Sequence, residues 1–408
     1  MTEKHNLGSA YRLKQLVSSD SHIIEPPDLW TKRIDARYRD VAPRVVRIDG
    51  SDWWQFDGRR IGSVSGRKKR SGSIALEAST IPSRGAVLTH STFDQVDPAA
   101  YVPSEYVKSN LADGICAAII RPTQGITNYC INDAGLFGAI CRAYNDWIVE
   151  FCSENTRMLK AVAMLNNYDP KDAVAELYRA RKRGMVGGII SVYPGEEHSY
   201  AKPEYEPLWS AAEELGMPLS LHVLTNHNGP YGVPFPEVNY SLRVNAEYWV
   251  RMSLADMIFG GVFERHPTLR IESSEHEAAW VPYFLWQMDW TYERRIRQRM
   301  QGACIKERPS YYFSRNVWIS LIYDDLAIAA RHEIGVGKLM WGSDFPHEQS
   351  TNPRSLDFVN ELLEGVPLAE AQAIVHDNAV KMFGLDIPLL AGLEPQARVS
   401  FDKVGNPC

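Results

Sequence analysis

From residue 115 onward the chain alternates short apolar runs with amphipathic helical patterns, and this alternation limits the architectures open to it. Ile115–Ile120, Leu159–Leu165, Val186–Val192, Pro218–His222, Leu269–Ser273, Val317–Leu321 and Leu339–Asp344 read as buried strands. Between them lie helical patterns over Asp133–Glu154, Asp169–Gly184, Glu206–Leu215, Val244–Glu264, from Ala278 past Tyr292, and Asp324–Ile334. The second of these shows the local logic. Asp169 is placed to cap the first turn, and Pro170 suits the first helical position. Ala173, Leu177 and Ala180 recur on one face, and Gly184 ends the run. Strands separated by helices pair in parallel. With Leu16–Asp20 added the strands number eight, which predicts a (β/α)8 TIM barrel in a single domain. An open doubly wound sheet is the competitor, but it calls for a Gly-rich phosphate loop after its first strand, and none is present.

The first two strands are separated by an insertion, residues 31–105. Within it Trp53–Ile61 reads as a β-hairpin turning at Asp57-Gly58. The chain of 408 residues is 45% hydrophobic and 23% charged, with a formal net charge of −6. That balance offers no basic face for a nucleic-acid partner. The one basic cluster, Arg67-Lys68-Lys69-Arg70, sits among Gly and Ser and reads as a solvated loop. No apolar run reaches spanning length, so no membrane insertion is expected. The six cysteines form no C-x-x-C pair, and the N-terminus carries no apolar h-region. Reduced thiols and a cytoplasmic location are the expectation.

Barrel enzymes carry their chemistry at the C-terminal strand ends. Here the first strand ends in Asp20-Ser21-His22, where alternation puts both side chains on one face. The fifth ends in His222. The sixth is followed by Glu275-His276-Glu277. The eighth ends in Asp344, with His347 just beyond. A lone histidine at a strand end is usually structural. Four ends bearing carboxylates or imidazoles around one cavity need a cation to offset the cost of burying them. The expected metal ligands are Asp20, His22, His222 and Asp344, with His276 able to join them. The expected metal is a divalent Zn, Mn or Fe.

The stretch Val17–Trp30, the segment Trp280-Val281-Pro282-Tyr283-Phe284-Leu285 and the run Met340–His347 resemble the amidohydrolase superfamily, in its amidohydrolase-related branch. That branch includes γ-resorcylate and 2-amino-3-carboxymuconate-6-semialdehyde decarboxylases as well as hydrolases. The resemblance implies hydrolysis or non-oxidative decarboxylation of a small carboxylate-bearing substrate. Asp344 and His276 then act as acid and base. It also implies a homo-oligomer, a dimer or higher. The family's first-strand motif is H-x-H or E-x-H, and here it is D-x-H. Glu277 stands where relatives often have Gly. A second reading follows from the E-H-E run: two iron or manganese ions, the second on His222 and His276, activating dioxygen. Glu275, Glu277, His347 and His227 are candidates for that second ion or for support around it. A third reading is a non-catalytic subunit paired with a homologous enzyme. Arg121 and Trp280 are candidates for substrate binding, with Arg251 a further cation. Thr225–Ser241 reads as a lid, and His90 as a histidine that could reach the barrel mouth.

Overall fold

The computed structural model describes residues 13, 15–64, 92–227, 241, 244–296 and 304–386. The basic cluster at 67–70, His90 and most of the expected lid at 225–241 lie outside the described residues. The strands, in chain order, are β1 (Leu16–Ile23), β2 (Arg44–Ile48), β3 (Ser51–Phe56), β4 (Arg59–Ser63), β5 (Ile115–Pro122), β6 (Leu159–Met164), β7 (Gly187–Ile190), β8 (Leu219–His222), β9 (Ile271–Ser274), β10 (Val317–Leu321) and β11 (Leu339–Trp341).

Eight of them form one parallel sheet in the order β1-β5-β6-β7-β8-β9-β10-β11. Consecutive order is what a barrel requires and a doubly wound sheet lacks. The seam is closed past the end of β11, where Asp344 N donates to Asp20 O at 3.0 Å and His22 N donates to Phe345 O at 2.7 Å. Gly342 permits that approach, since a Cβ there would lie 2.6 Å from the Asp20 Cβ. The barrel strands are buried along nearly their whole length, as parallel strands covered by helices must be.

The insertion forms an antiparallel sheet of β2, β3 and β4. The expected hairpin at Asp57-Gly58 is present. A second Asp-Gly turn, Asp49-Gly50, adds a strand that the sequence reading left out. All four turn residues have positive φ, the conformation that tight hairpin turns demand. The helix Pro170–Lys182 begins as expected, with the Asp169 carboxylate accepting from Lys171 N and Asp172 N. The pattern over 244–264 divides into Glu247–Phe259 and Val262–Arg265, broken at Gly261, whose φ is +73°. No helix among the described residues is long and apolar enough to cross a membrane.

At the opposite end of the barrel from the β-strand termini discussed below, His266 sits between Glu206 (3.0 Å) and Glu213 (3.1 Å). Glu213 also accepts from Thr268 N and Oγ1, each at 2.7 Å. Burial alone raises the Glu213 carboxyl, but the Thr268 and His266 hydrogen bonds outweigh it and hold it below its ordinary 4.5. A depressed carboxylate adds stability above its unfolded pKa and loses it as pH falls through the folded value. Glu213→Gln will therefore melt below the wild type at pH 7. The gap will close as pH falls below 4.5; a gap that stays constant with pH rules out this ionic contribution.

Candidate metal centre and active site

The C-terminal ends of β1, β8, β9 and β11 bring their carboxylates and imidazoles together. His22 Nε2 lies 2.9 Å from Glu275 Oε1, 3.3 Å from Asp20 Oδ1 and 3.6 Å from Asp344 Oδ1. His222 Nε2 lies 3.6 Å from Asp20 Oδ2 and 3.7 Å from Glu275 Oε1. Two groups have the spacing to hold an ion: Asp20, His22, His222 and Glu275, and His22, Glu275, Asp344 and His347. Metal–ligand bonds of about 2.0–2.2 Å put neighbouring donor atoms roughly 3.0–3.6 Å apart, and these distances fit.

The imidazole tautomers point the same way. His22 Nδ1 is 2.8 Å from Pro122 O and His222 Nδ1 is 2.9 Å from Val223 O. A carbonyl can only accept, so both Nδ1 atoms carry the proton and both Nε2 atoms face the cluster. The His222 Nε2 is buried without a hydrogen-bond partner among the described residues. Burial alone would lower the His22 imidazole, but hydrogen bonds to Asp20 and Glu275 raise it well above the ordinary range. The charge count agrees. Four carboxylates, Asp20, Glu272, Glu275 and Asp344, gather around His22, His222 and, among the described residues, one buried guanidinium, Arg121, which pairs with Asp20 and Glu272. A divalent ion fits this donor set and offsets its excess of negative charge.

Arg121 lies beneath this cluster rather than at its mouth. Its guanidinium donates to Asp20 Oδ1 at 3.0 Å and Ser19 O at 2.6 Å, and it forms a short contact with Glu272. Ser220 also donates to Glu272. Both residues sit two positions before the β8 and β9 ends, one layer down in the barrel. The arginine is thus committed to Asp20, whose other oxygen accepts from Ser274 Oγ at 2.7 Å. Burial alone would raise the Asp20 carboxyl, but Arg121 and the two imidazoles hold it well below the usual range.

His276 stands outside both donor groups. Its Nδ1 is 3.1 Å from Ser273 Oγ, and its Nε2 is buried and unpartnered among the described residues. Burial, then the neighbouring His222, push this imidazole down to about 3, so it is neutral. It lines a narrow cleft beside the ligand cluster with Val192, Val223, Leu224, Asn226 and Trp249. Asp344 is oriented by His347, whose Nδ1 donates to it at 2.6 Å; His347 Nε2 is 2.9 Å from Thr123 Oγ1. Burial raises the Asp344 carboxyl to about 6. Leu224, Glu275, Glu277 and Asp344 all have φ between +52° and +69°. Such left-handed backbone in non-glycine residues is costly and clusters at functional sites.

Comparison with known proteins places the fold that carries these residues. The amidohydrolase family profile matches residues 117–385, more than half of the chain. The chain belongs to the amidohydrolase family. The match begins after β1, so Asp20 and His22 lie N-terminal to it. The γ-resorcylate decarboxylase of a Rhizobium species is 25% identical over 277 residues, 60% of this chain and 76% of that protein. The crystal structure of an amidohydrolase from Mycobacterium avium subsp. paratuberculosis superposes with a TM-score of 0.74 at 22% identity, over 92% of this chain and 100% of that one. A dihydroxybenzoic acid decarboxylase from a Polaromonas species, solved with bound manganese and 2-nitroresorcinol, superposes with a TM-score of 0.61 at 16% identity, over 91% and 98% of the two chains.

The remaining candidates of this amidohydrolase are placed away from the ligand cluster. Glu277 turns toward β10 and accepts from Ile322 N and Tyr323 N, both at 3.3 Å. Burial, then the nearby Asp324 carboxylate, push it up to about 8. Trp280 Nε1 donates to Glu277 O at 3.0 Å, and its ring packs on Phe284. Arg251 lies over the Phe284 ring, 5.4 Å from its centre, and His227 packs edge-on against Tyr168.

Asp324 was not foreseen, yet it fixes the loop that carries Glu275 and His276. One of its oxygens accepts from Ala278 N and Ala279 N, both at 2.8 Å, and the other caps the next helix through Ala327 N. Asp324→Ala leaves three amide donors without this acceptor. The expected loss in urea unfolding is about 3 kcal/mol, with turnover falling further than stability explains. Asp324→Asn, which keeps one acceptor oxygen, will fall between; full activity in the alanine variant contradicts the loop-fixing role.

Proposed function

We propose that the chain is a metal-dependent decarboxylase of a small hydroxylated aromatic acid, acting without an external oxidant. The observation that carries this reading is the cluster of Asp20, His22, His222, Glu275 and Asp344 with His276 beside it, its Nε2 buried and unpartnered among the described residues. Relatives named for decarboxylation of hydroxylated benzoates support the substrate class. Asp20, His22, His222 and Asp344, with Glu275, would hold a divalent ion. When bound, that ion supplies a Lewis acid that fixes and polarises the substrate's oxygens. Manganese is the first metal to test, because a relative's structure contains it and a mixed carboxylate–imidazole set accepts it.

The chain's own groups do the rest. Asp344, held by His347, and His276, held by Ser273, are positioned for proton transfer to the ring carbon that bears the carboxylate. The C–C bond to the carboxylate then breaks, carbon dioxide leaves, and the electron pair restores the aromatic ring. We also place the enzyme in the cytoplasm as a homo-oligomer. Free cysteines at 116, 130, 141, 152 and 304 support the first, and the exposed Tyr283, Trp286 and Trp290 on one helix support the second.

A second reading, a dinuclear iron or manganese oxygenase, is favoured by one feature. Glu275 belongs to both donor groups, as does His22, whose single free nitrogen can serve one ion; the second group adds Asp344 and His347 in place of the expected His222 and His276. Incubating the purified chain with 2,6-dihydroxybenzoate under nitrogen separates the two. Carbon dioxide and resorcinol formed without oxygen support decarboxylation. Turnover that needs oxygen and consumes it supports the oxygenase and overturns the first reading.

A further inference from the structure

Two residues past the end of β1, Glu25 is 1% exposed. Its carboxyl takes hydrogen bonds from three successive amides of the turn after β5. Oε1 accepts from Thr123 N at 3.1 Å and from Gly125 N at 2.9 Å. Oε2 accepts from Gln124 N at 2.9 Å. Burial pushes this carboxyl up to about 7 despite those bonds, so the fold keeps it here at a cost. An apolar side chain would avoid that cost and would leave three amides without their acceptor. The carboxyl therefore ties the end of β1 to the end of β5.

The turn it grips also carries groups that orient the ligand cluster. Pro122 O, the residue before the three amides, accepts from His22 Nδ1 at 2.8 Å and leaves Nε2 for the cluster. Thr123 Oγ1 is 2.9 Å from His347 Nε2. Burial keeps the His347 ring neutral. Its Nδ1 donates to Asp344 at 2.6 Å, so its Nε2 accepts from the Thr123 hydroxyl. His22 and Asp344, from two different strands, thus both depend on where residues 122 and 123 stand.

We propose that Glu25 is a positioning residue for the metal centre: by fixing the 123–125 turn it sets His22 through Pro122 O, and Asp344 through Thr123 and His347. This rests on the metal centre read from the strand ends. Glu25 itself holds neither metal nor substrate. Partners behind the ligands govern metal affinity because they fix the ligands' orientation.

Isothermal titration of the metal-free chain with manganese chloride tests this, together with hydrogen exchange at the amides of residues 123–125. Glu25→Gln keeps one acceptor oxygen and will bind manganese about tenfold more weakly, with faster exchange at those amides. Thr123→Val loses only the hydroxyl, so it will weaken manganese by about threefold and leave the exchange unchanged. Glu213→Gln, at the other end of the barrel, is the control for a general loss of stability. It will bind manganese as the wild type does. Wild-type manganese affinity in Glu25→Gln or in Thr123→Val overturns the assignment and leaves the metal centre standing. An equal loss of affinity in Glu213→Gln does the same. A wild type that binds no manganese sinks the metal centre, and this role with it.

Discussion

Glu275→Gln will leave the folded chain unable to retain its metal. Glu275 is the one carboxylate in both donor groups, and its Oε1 sits 2.9 Å from His22 Nε2 and 3.7 Å from His222 Nε2. Outer partners of ligands typically cost 10–100-fold in metal affinity, so loss of a central donor is expected to cost at least about 100-fold. Turnover will fall with it. The stability of the metal-free chain is a separate readout. Without a metal, Glu275 pairs with the His22 imidazole, whose pKa it raises, so Glu275→Gln removes a favourable buried contact. The metal-free variant will melt at or below the metal-free wild type, and added metal will no longer raise its melting temperature. A variant that retains wild-type metal content through dialysis shows that Asp20, His22, His222 and Asp344 suffice, and that Glu275 only stands by.

The second large effect lies one layer down. Arg121 is fully buried between Asp20 and Glu272, themselves fully buried. Removing one partner of such a network strands the others. Arg121→Met is expected to cost about 3–5 kcal/mol. It also frees Asp20 Oδ1 from its anchor, so metal affinity will drop even in conditions where the chain stays folded. Replacing Glu272 as well, in an Arg121→Met/Glu272→Gln variant, removes one of the two stranded charges and will recover part of the stability. It will not recover the metal affinity, because Asp20 remains unanchored. A double-mutant cycle on urea unfolding measures this coupling. Additive losses mean that Arg121 and Glu272 do not share a network.

This contrast shows where the sequence was legible. Apolar runs alternating with helical patterns give the barrel, because burial dictates both periodicities. Asp20, His22, His222 and Asp344 stand out because the barrel's active face is set by strand ends, and strand ends can be read from the pattern. Glu275 was legible only as a flanking carboxylate. Its left-handed backbone, φ +61°, turns it into the cluster, and nothing in a Glu-His-Glu run announces which glutamate turns inward. Glu277 turns the other way, to the amides after β10.

Arg121 misled for a related reason. An arginine at the end of a strand reads as a hand held out to substrate. A long side chain can instead fold back into the barrel, and the signal for that was Glu272, a carboxylate in the middle of a buried strand. Asp324 was read only as a helix start. Its second oxygen, which holds Ala278 N and Ala279 N, depends on two loops distant in sequence meeting in space. The second hairpin of the insertion had a signal that was passed over: Asp49-Gly50 repeats the turn chemistry of Asp57-Gly58.

The central claim is that the β-strand ends of this barrel form a metal centre. Elemental analysis of the purified chain after dialysis against metal-free buffer tests it most directly. The account predicts about one equivalent of a divalent transition metal per chain, lost together with activity on chelation and restored by manganese. A folded chain that carries no metal, and gains neither thermal stability nor activity when manganese, iron or zinc is added, contradicts it.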